Sequence, residues 1–141
     1  MLRLLREIRH GALASIGLLA LGIAPPVAAQ DAKPQETKGI SIKGSRTLPL
    51  GVQLPALKGY ALQIRMIVLQ PGAVAGYHSH AKRPVVAYLV SGDYTEHRDG
   101  QGVVAHRPGE QWVEGADVAH WSENRGTETT YLINVEVFPT Q

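Results

Sequence analysis

From Leu48 onward, short runs rich in β-branched and aromatic residues are cut at near-regular intervals by glycine, proline and asparagine. ALQIRMIVL (61–69) runs into Pro71-Gly72, VVAYLV (85–90) into Ser91-Gly92-Asp93, and YTEH (94–97) into Asp99-Gly100. GVVAH (102–106) stops at Pro108-Gly109, EQWVE (110–114) at Gly115, VAHWSE (118–123) at Asn124-Arg125-Gly126, and ETTYLINVEVF (128–138) at Pro139. Runs this short, without helical periodicity and bounded by turn formers, read as strands. Their regular spacing predicts an all-β domain, and a closed barrel leaves fewer open strand edges than a flat sheet.

The N-terminus follows a different pattern. MLRLLREIRH is basic, the uncharged run GALASIGLLALGIA follows, and Pro25-Pro26 end it ahead of Val27-Ala28-Ala29. A basic start, an apolar middle and small residues at the cleavage point make a secretory signal. The apolar run is shorter than the ~20 residues of a bilayer-spanning helix. The expected organisation is therefore a signal peptide over 1–29, a flexible polar lead-in over 30–45 that holds an edge strand at 40–43, and a barrel domain over 46–141. Export to the periplasm or beyond is expected, with no stable membrane span after processing.

Removing the leader's three arginines and one glutamate from fourteen basic and twelve acidic residues leaves eleven of each. Such a balance gives no electrostatic reason to expect nucleic acid as a partner. The chain has no cysteine, so thiolate metal sites and thiol nucleophiles are excluded, and stability must come from packing, a metal or a second subunit.

Three of the five histidines beyond the leader have informative positions. His78 and His80 form an H-x-H pair at the end of a strand-like run, so both imidazoles face the same way, ~7 Å apart along the backbone. His120 lies in another strand-like segment, followed by Trp121. Three neutral imidazoles from two strands form a set with open positions opposite, as a catalytic or ligand-binding ion requires.

On these residues the chain resembles the cupin superfamily. The pattern G-x5-H-x-H, closing on a later glycine, is met by Gly72, His78, His80 and Gly92, and the pattern G-x5-P-x-G-x2-H-x3-N by Gly109, His120 and Asn124. The resemblance covers roughly residues 50–138. It implies a double-stranded β-helix, or jelly roll, holding one divalent metal on His78, His80 and His120. The glutamate of the first pattern falls at 84 or 85, which are Pro84 and Val85, while Gly115 and Asp117 replace the proline and inner glycine of the second. Three histidines without that carboxylate favour Fe2+, Zn2+, Ni2+ or Cu2+ over Mn2+. Glu96 and Glu110 are the nearest carboxylates that could take its place, and both read as solvated. Asp117 reads as a turn former, or as an acceptor behind His120. His97 and His106 read as surface residues.

Tyr77, Tyr88, Trp112 and Trp121 flank the histidines, either as pocket walls for a small organic ligand or as packing, with packing favoured for Tyr88. Arg65 reaches the barrel mouth and a substrate carboxylate, or lies on the surface. Two functions fit. One is a metal-dependent, dioxygenase-like enzyme; the other is a periplasmic module that binds a small molecule or a metal without turnover. A homodimer fits both.

Overall fold

The structure, a computed structural model, describes residues 32–140; the segment read as a signal peptide lies outside the described residues. Eight strands form: β1 (Lys38–Pro49), β2 (Tyr60–Ser79), β3 (Val85–Ser91), β4 (Tyr94–Arg98), β5 (Gly102–His106), β6 (Gln111–Glu114), β7 (Ala119–Glu123) and β8 (Thr130–Pro139). A four-residue helix (Leu50–Gln53) and a 3-10 turn (Pro55–Leu57) link β1 to β2. Alternation drives the folding of each strand. In β8 every second residue from Thr130 to Glu136 is buried, and in β3 Val85, Ala87 and Leu89 point inward while Val86, Tyr88 and Val90 point out.

All the ladders are antiparallel, in the order β5-β4-β7-β2-β8-β3-β6, with β1 on the other side of β2. The long strand β2 carries the curl of the sheet. Its first half, Tyr60–Leu69, lies between β1 and β8; its second half pairs with β7. The change falls at Pro71-Gly72. Gly72 has φ +72, a conformation that favours glycine, and its N–H donates to the Asn124 carbonyl at 3.0 Å. A Cβ on Gly92 would collide with the Thr130 side chain. The result is an all-β, single-domain jelly-roll barrel.

Leu69, Ala73, Val85, Ala87, Leu89, Tyr94 and Leu132 form the core, with Ile40, Ile67 and Trp112 packed against it. No ladder joins the end strands β5 and β6 among the described residues. Side chains bridge that gap, the His106 ring stacking on Trp112 with centroids 3.7 Å apart. His106 is therefore a half-buried residue of the seam, its side chain 8% exposed, and not the surface histidine expected from its place before Arg107-Pro108.

Two further expectations change. The lead-in over 30–45 is a strand from Lys38 on, because its backbone pairs with β2 from Lys38↔Val74 to Pro49↔Ala61. Its sparse apolar content concealed this, since a strand can be held by backbone hydrogen bonds while most of its side chains stay in water. Tyr88, expected in the core, faces outward and is 39% exposed, because Ala87 and Leu89 take the inward positions of β3.

Candidate metal centre

Pairing of β2 with β7 sets His78 directly opposite His120. His80 follows the end of β2, where its N–H donates to the Val118 carbonyl at 2.9 Å. The three rings thereby meet in space. His80 Nε2 lies 3.0 Å from His120 Nε2, which lies 3.2 Å from His78 Nε2. His80 and His120 are buried; His78 stands at the open rim.

The far side of each ring fixes its proton. His78 Nδ1 lies 2.8 Å from the Gly76 carbonyl and His80 Nδ1 lies 3.0 Å from the Arg83 carbonyl. A carbonyl only accepts, so each Nδ1 carries the hydrogen and each Nε2 keeps a lone pair. His120 Nδ1 faces the Glu96 carboxylate at 3.1 Å, at a skewed angle but again toward an acceptor. Burial pushes His80 down to about 4 and lowers His78 as well, which keeps both rings neutral near pH 7. Three lone pairs aimed at one another across 3.0–3.2 Å repel. A cation removes the repulsion, and nitrogens sharing an ion at ~2.1 Å stand ~3.0–3.4 Å apart. The donor set therefore fits a divalent transition ion.

Two carboxylates lie beside the rings. Glu96, read from the sequence as solvated, is fully buried. Its carboxylate faces His120, and it accepts from His106 Nε2 at 3.0 Å and from Arg98 Nε at 2.6 Å. Burial works to raise its pKa, but the bonds from His106, His120, Glu114 and Arg98 outweigh it and hold the carboxyl low. Glu96 thus stands behind His120, orienting the ring, as carboxylates do in metal sites. Glu110 is exposed and accepts from the Arg107 N–H at 3.0 Å, away from the rings. Asp117 is exposed in the turn before β7.

The carboxylate that sequence reasoning overlooked is Glu114. It is 3% exposed, and its Oε2 lies 3.0 Å from His80 Nε2. Burial raises its pKa, and the neighbouring Glu96 raises it further. Its one sequence signal was an acidic residue at the inward parity of β6, two after Trp112.

A cavity of about 190 Å³ opens over the rings. Ile40, Ile67, Leu69 and Leu132 give it apolar walls, and Tyr94 and Ser122 lie deeper. Arg65 lines it and pairs with buried Glu136 at 2.8 Å, while Arg83 takes the other oxygen of Glu136 at 3.2 Å. Asn134 Oδ1 and Ser122 Oγ are buried, line the same space and have no hydrogen-bond partner among the described residues. The four aromatic residues expected as pocket walls lie elsewhere. Tyr77 donates to Asp99 at 2.6 Å, Tyr88 faces outward, and Trp121 stacks on His97 on the outside of β7 and β4. Trp112 packs in the core, its indole donating to Glu114 Oε1 at 2.9 Å.

A barrel of this topology with converging histidines defines the double-stranded β-helix class. The cupin domain model matches residues 65–136, just over half the chain, and the chain belongs to that family. In fold it is similar to the cupin domain of Schizosaccharomyces pombe Cnp3, at 10% identity over 75% of this chain and 64% of that one, with a TM-score of 0.54. It is also similar to a recombinant oxalate oxidase in complex with glycolate, at 17% identity over 70% and 50% of the two chains, with a TM-score of 0.50. An RmlC-like cupin from Shewanella frigidimarina matches at 21% identity over 59% and 78%, with a TM-score of 0.48. No curated protein matches the chain. At these identities the likeness concerns the fold, which hosts unrelated chemistries.

Proposed function

We propose that this is an exported cupin that binds one divalent transition ion through His78, His80 and His120 and presents it to a small carboxylate-bearing organic molecule, in dioxygenase-like chemistry. The observation that carries the reading is the convergence of three Nε2 lone pairs whose Nδ1 atoms all face acceptors. Fe2+, Zn2+, Ni2+ and Cu2+ suit such imidazoles. A bound ion supplies Lewis acidity or redox capacity at its open positions. The chain's own groups do the rest. The apolar walls hold the organic body, Arg65 and Arg83 at the mouth attract its carboxylate, and Ser122 and Asn134 offer hydrogen bonds. At ~30 Å³ per water the cavity holds about six waters' worth of ligand, so the molecule is small.

Export rests on the N-terminal pattern, and intact mass of periplasmic protein tests it: a mass that includes residues 1–29 refutes it. Metal analysis of untagged protein, with melting temperature against added ion, tests the centre. An oxygen electrode then separates turnover from binding: ligands that quench tryptophan fluorescence without dioxygen uptake indicate a binding module. A homodimer through the outer sheet face belongs to the same proposal. Val113, Val86, Val135 and Ile64 stand in one register row across β6, β3, β8 and β2, and Val113 and Val86 are 68% and 53% exposed.

A further inference from the structure

The strand that carries His78 is not regular where it meets β7. It pairs at Ala75↔Ser122 and next at His78↔His120, so that β2 spends one residue more than β7 between the two pairs. Gly76 and Tyr77 form the bulge that this difference requires. The bulge decides where His78 points. Side chains alternate along a regular strand, and Ala73 and Ala75 face inward. Strict alternation would therefore turn Tyr77 inward and His78 outward. The extra residue reverses the parity, and Ala75 and His78 line the same cavity.

The bulge is held by the segment that precedes β1. Both of its N–H groups go there: Gly76 donates to Thr37 Oγ1 at 3.0 Å and Tyr77 to the Pro34 carbonyl at 2.7 Å. The fit is close enough to require glycine, since a Cβ on Gly76 would stand 2.5 Å from the Gln35 carbonyl oxygen. Asp99, after β4, accepts from Lys33 Nζ and from the Tyr77 hydroxyl at 2.6 Å each, which ties the start of the segment to the bulge. The Gly76 carbonyl in turn accepts from His78 Nδ1 at 2.8 Å. Gly76 is thus bonded to Thr37 through its N–H and to the His78 ring through its carbonyl.

We infer that residues 33–37 belong to the metal centre: they clasp the β2 bulge that aims His78 at the ion, and Thr37 is a positioning residue. The inference rests on the three-histidine reading and deepens it by naming what holds one ligand in place. His78 is the ligand that needs such a hold. His80 and His120 are buried, whereas His78 stands at the open rim, where packing does not fix its ring.

Thr37→Val removes the acceptor and keeps the branched shape, whereas Thr37→Ser keeps the acceptor. Thr37 is exposed, so neither change disturbs the core. The control is Thr47→Val, which removes a comparable bond, from Gln63 Nε2 at 2.8 Å, at the far end of β1. Zn2+ affinity by calorimetry, the visible spectrum of bound Co2+ and hydrogen exchange of the Gly76 amide are measured on the mature chain. Thr37→Val should speed exchange at Gly76 in the metal-free protein by about tenfold, the loss of one hydrogen bond. It should weaken Zn2+ binding by about tenfold, as the loss of a partner that orients a ligand does, and alter the Co2+ spectrum, which reads ligand geometry. Thr37→Ser should stay within about threefold of wild type in affinity, and Thr47→Val should leave affinity and spectrum unchanged. Faster exchange with unchanged affinity and spectrum makes the clasp a structural feature only and overturns the inference. Unaltered exchange overturns it too, as does a loss of affinity that Thr37→Ser fails to restore or that Thr47→Val reproduces. If wild type binds no Zn2+, the three-histidine reading falls and the inference with it.

Discussion

The inner and outer faces of the β2-β8-β3-β6 sheet each depart from ordinary burial beside the apolar core. Inside stand Arg65, Glu114, Asn134 and Glu136, all lining the cavity. Outside, on the same strands, stand Ile64, Val86 and Val113, all exposed. Buried polar groups and exposed large apolar residues are the two informative departures from ordinary burial. Buried charge is costly unless it is paired or holds an ion, so the interior marks a working site. An exposed apolar row on a regular sheet is the surface that the proposed homodimer would cover. In the proposed function one sheet would carry a ligand face and a contact face, divided by the period-two alternation of its strands.

The sharpest way to break this comparison is to remove a buried charge. Glu96→Ala leaves Arg98, His106 and His120 without their acceptor, and such uncompensated loss costs ~3–5 kcal/mol. Urea unfolding of the metal-free protein should show it. A loss below 1 kcal/mol would mean that the interior network is solvated and the contrast between the faces is false.

A pH series sharpens the same contrast. His80 is held at about 4 when folded and takes up a proton near 6.5 when unfolded. Its folded value is lowered by burial, so the unfolded chain binds more protons in that window and stability falls as pH drops from 6.5 toward 4. His78 acts in the same direction. Glu114 acts oppositely. Its folded value is raised, so the unfolded chain releases the proton first, and stability falls as pH rises above 4.5 through the raised value. With two histidines against one carboxyl, metal-free protein should be most stable near pH 6.5, with slopes of at most about 1.4 kcal/mol per pH unit for each net proton. Glu114→Gln should flatten the alkaline limb. Melting temperature across pH 4–9 in chelator checks this, and an unchanged alkaline limb in the variant contradicts it.

On the outer face, Val113→Lys should change monomer stability by no more than ~0.5 kcal/mol, since 68% of that residue is already in water. It should nevertheless convert dimer to monomer by light scattering. A wild type that is monomeric at high concentration removes the contact face from the comparison. The smallest effect on the candidate metal centre is expected at His97→Ala, which removes a ring stacked at 3.5 Å on Trp121. It should cost ~1 kcal/mol of stability and leave metal affinity unchanged, because His97 bonds Glu123 and not the centre.

Local chemistry made much of this molecule legible before folding was considered. The strands from β3 to β8 lie within a residue or two of the runs bounded by turn formers, because alternation and glycine-proline punctuation act over a few residues. His78, His80 and His120 were legible through their spacing, since an H-x-H pair shares a strand face whatever surrounds it. Glu114 was not. It reaches His80 only because β6 pairs with β3 in the one register that sets Val85 against it, and register is a relation between segments that are distant in the chain. Glu96 and His106 read as surface residues for a similar reason. Alternation assigns residues to two faces but does not say which face is enclosed, and enclosure came from the curl of β2 and the stacking of His106 on Trp112. Strand identity is thus a property of neighbours in the chain. The convergence of His78 and His80 with His120 is a property of pairing, and it arises only once β2 and β7 have met in register.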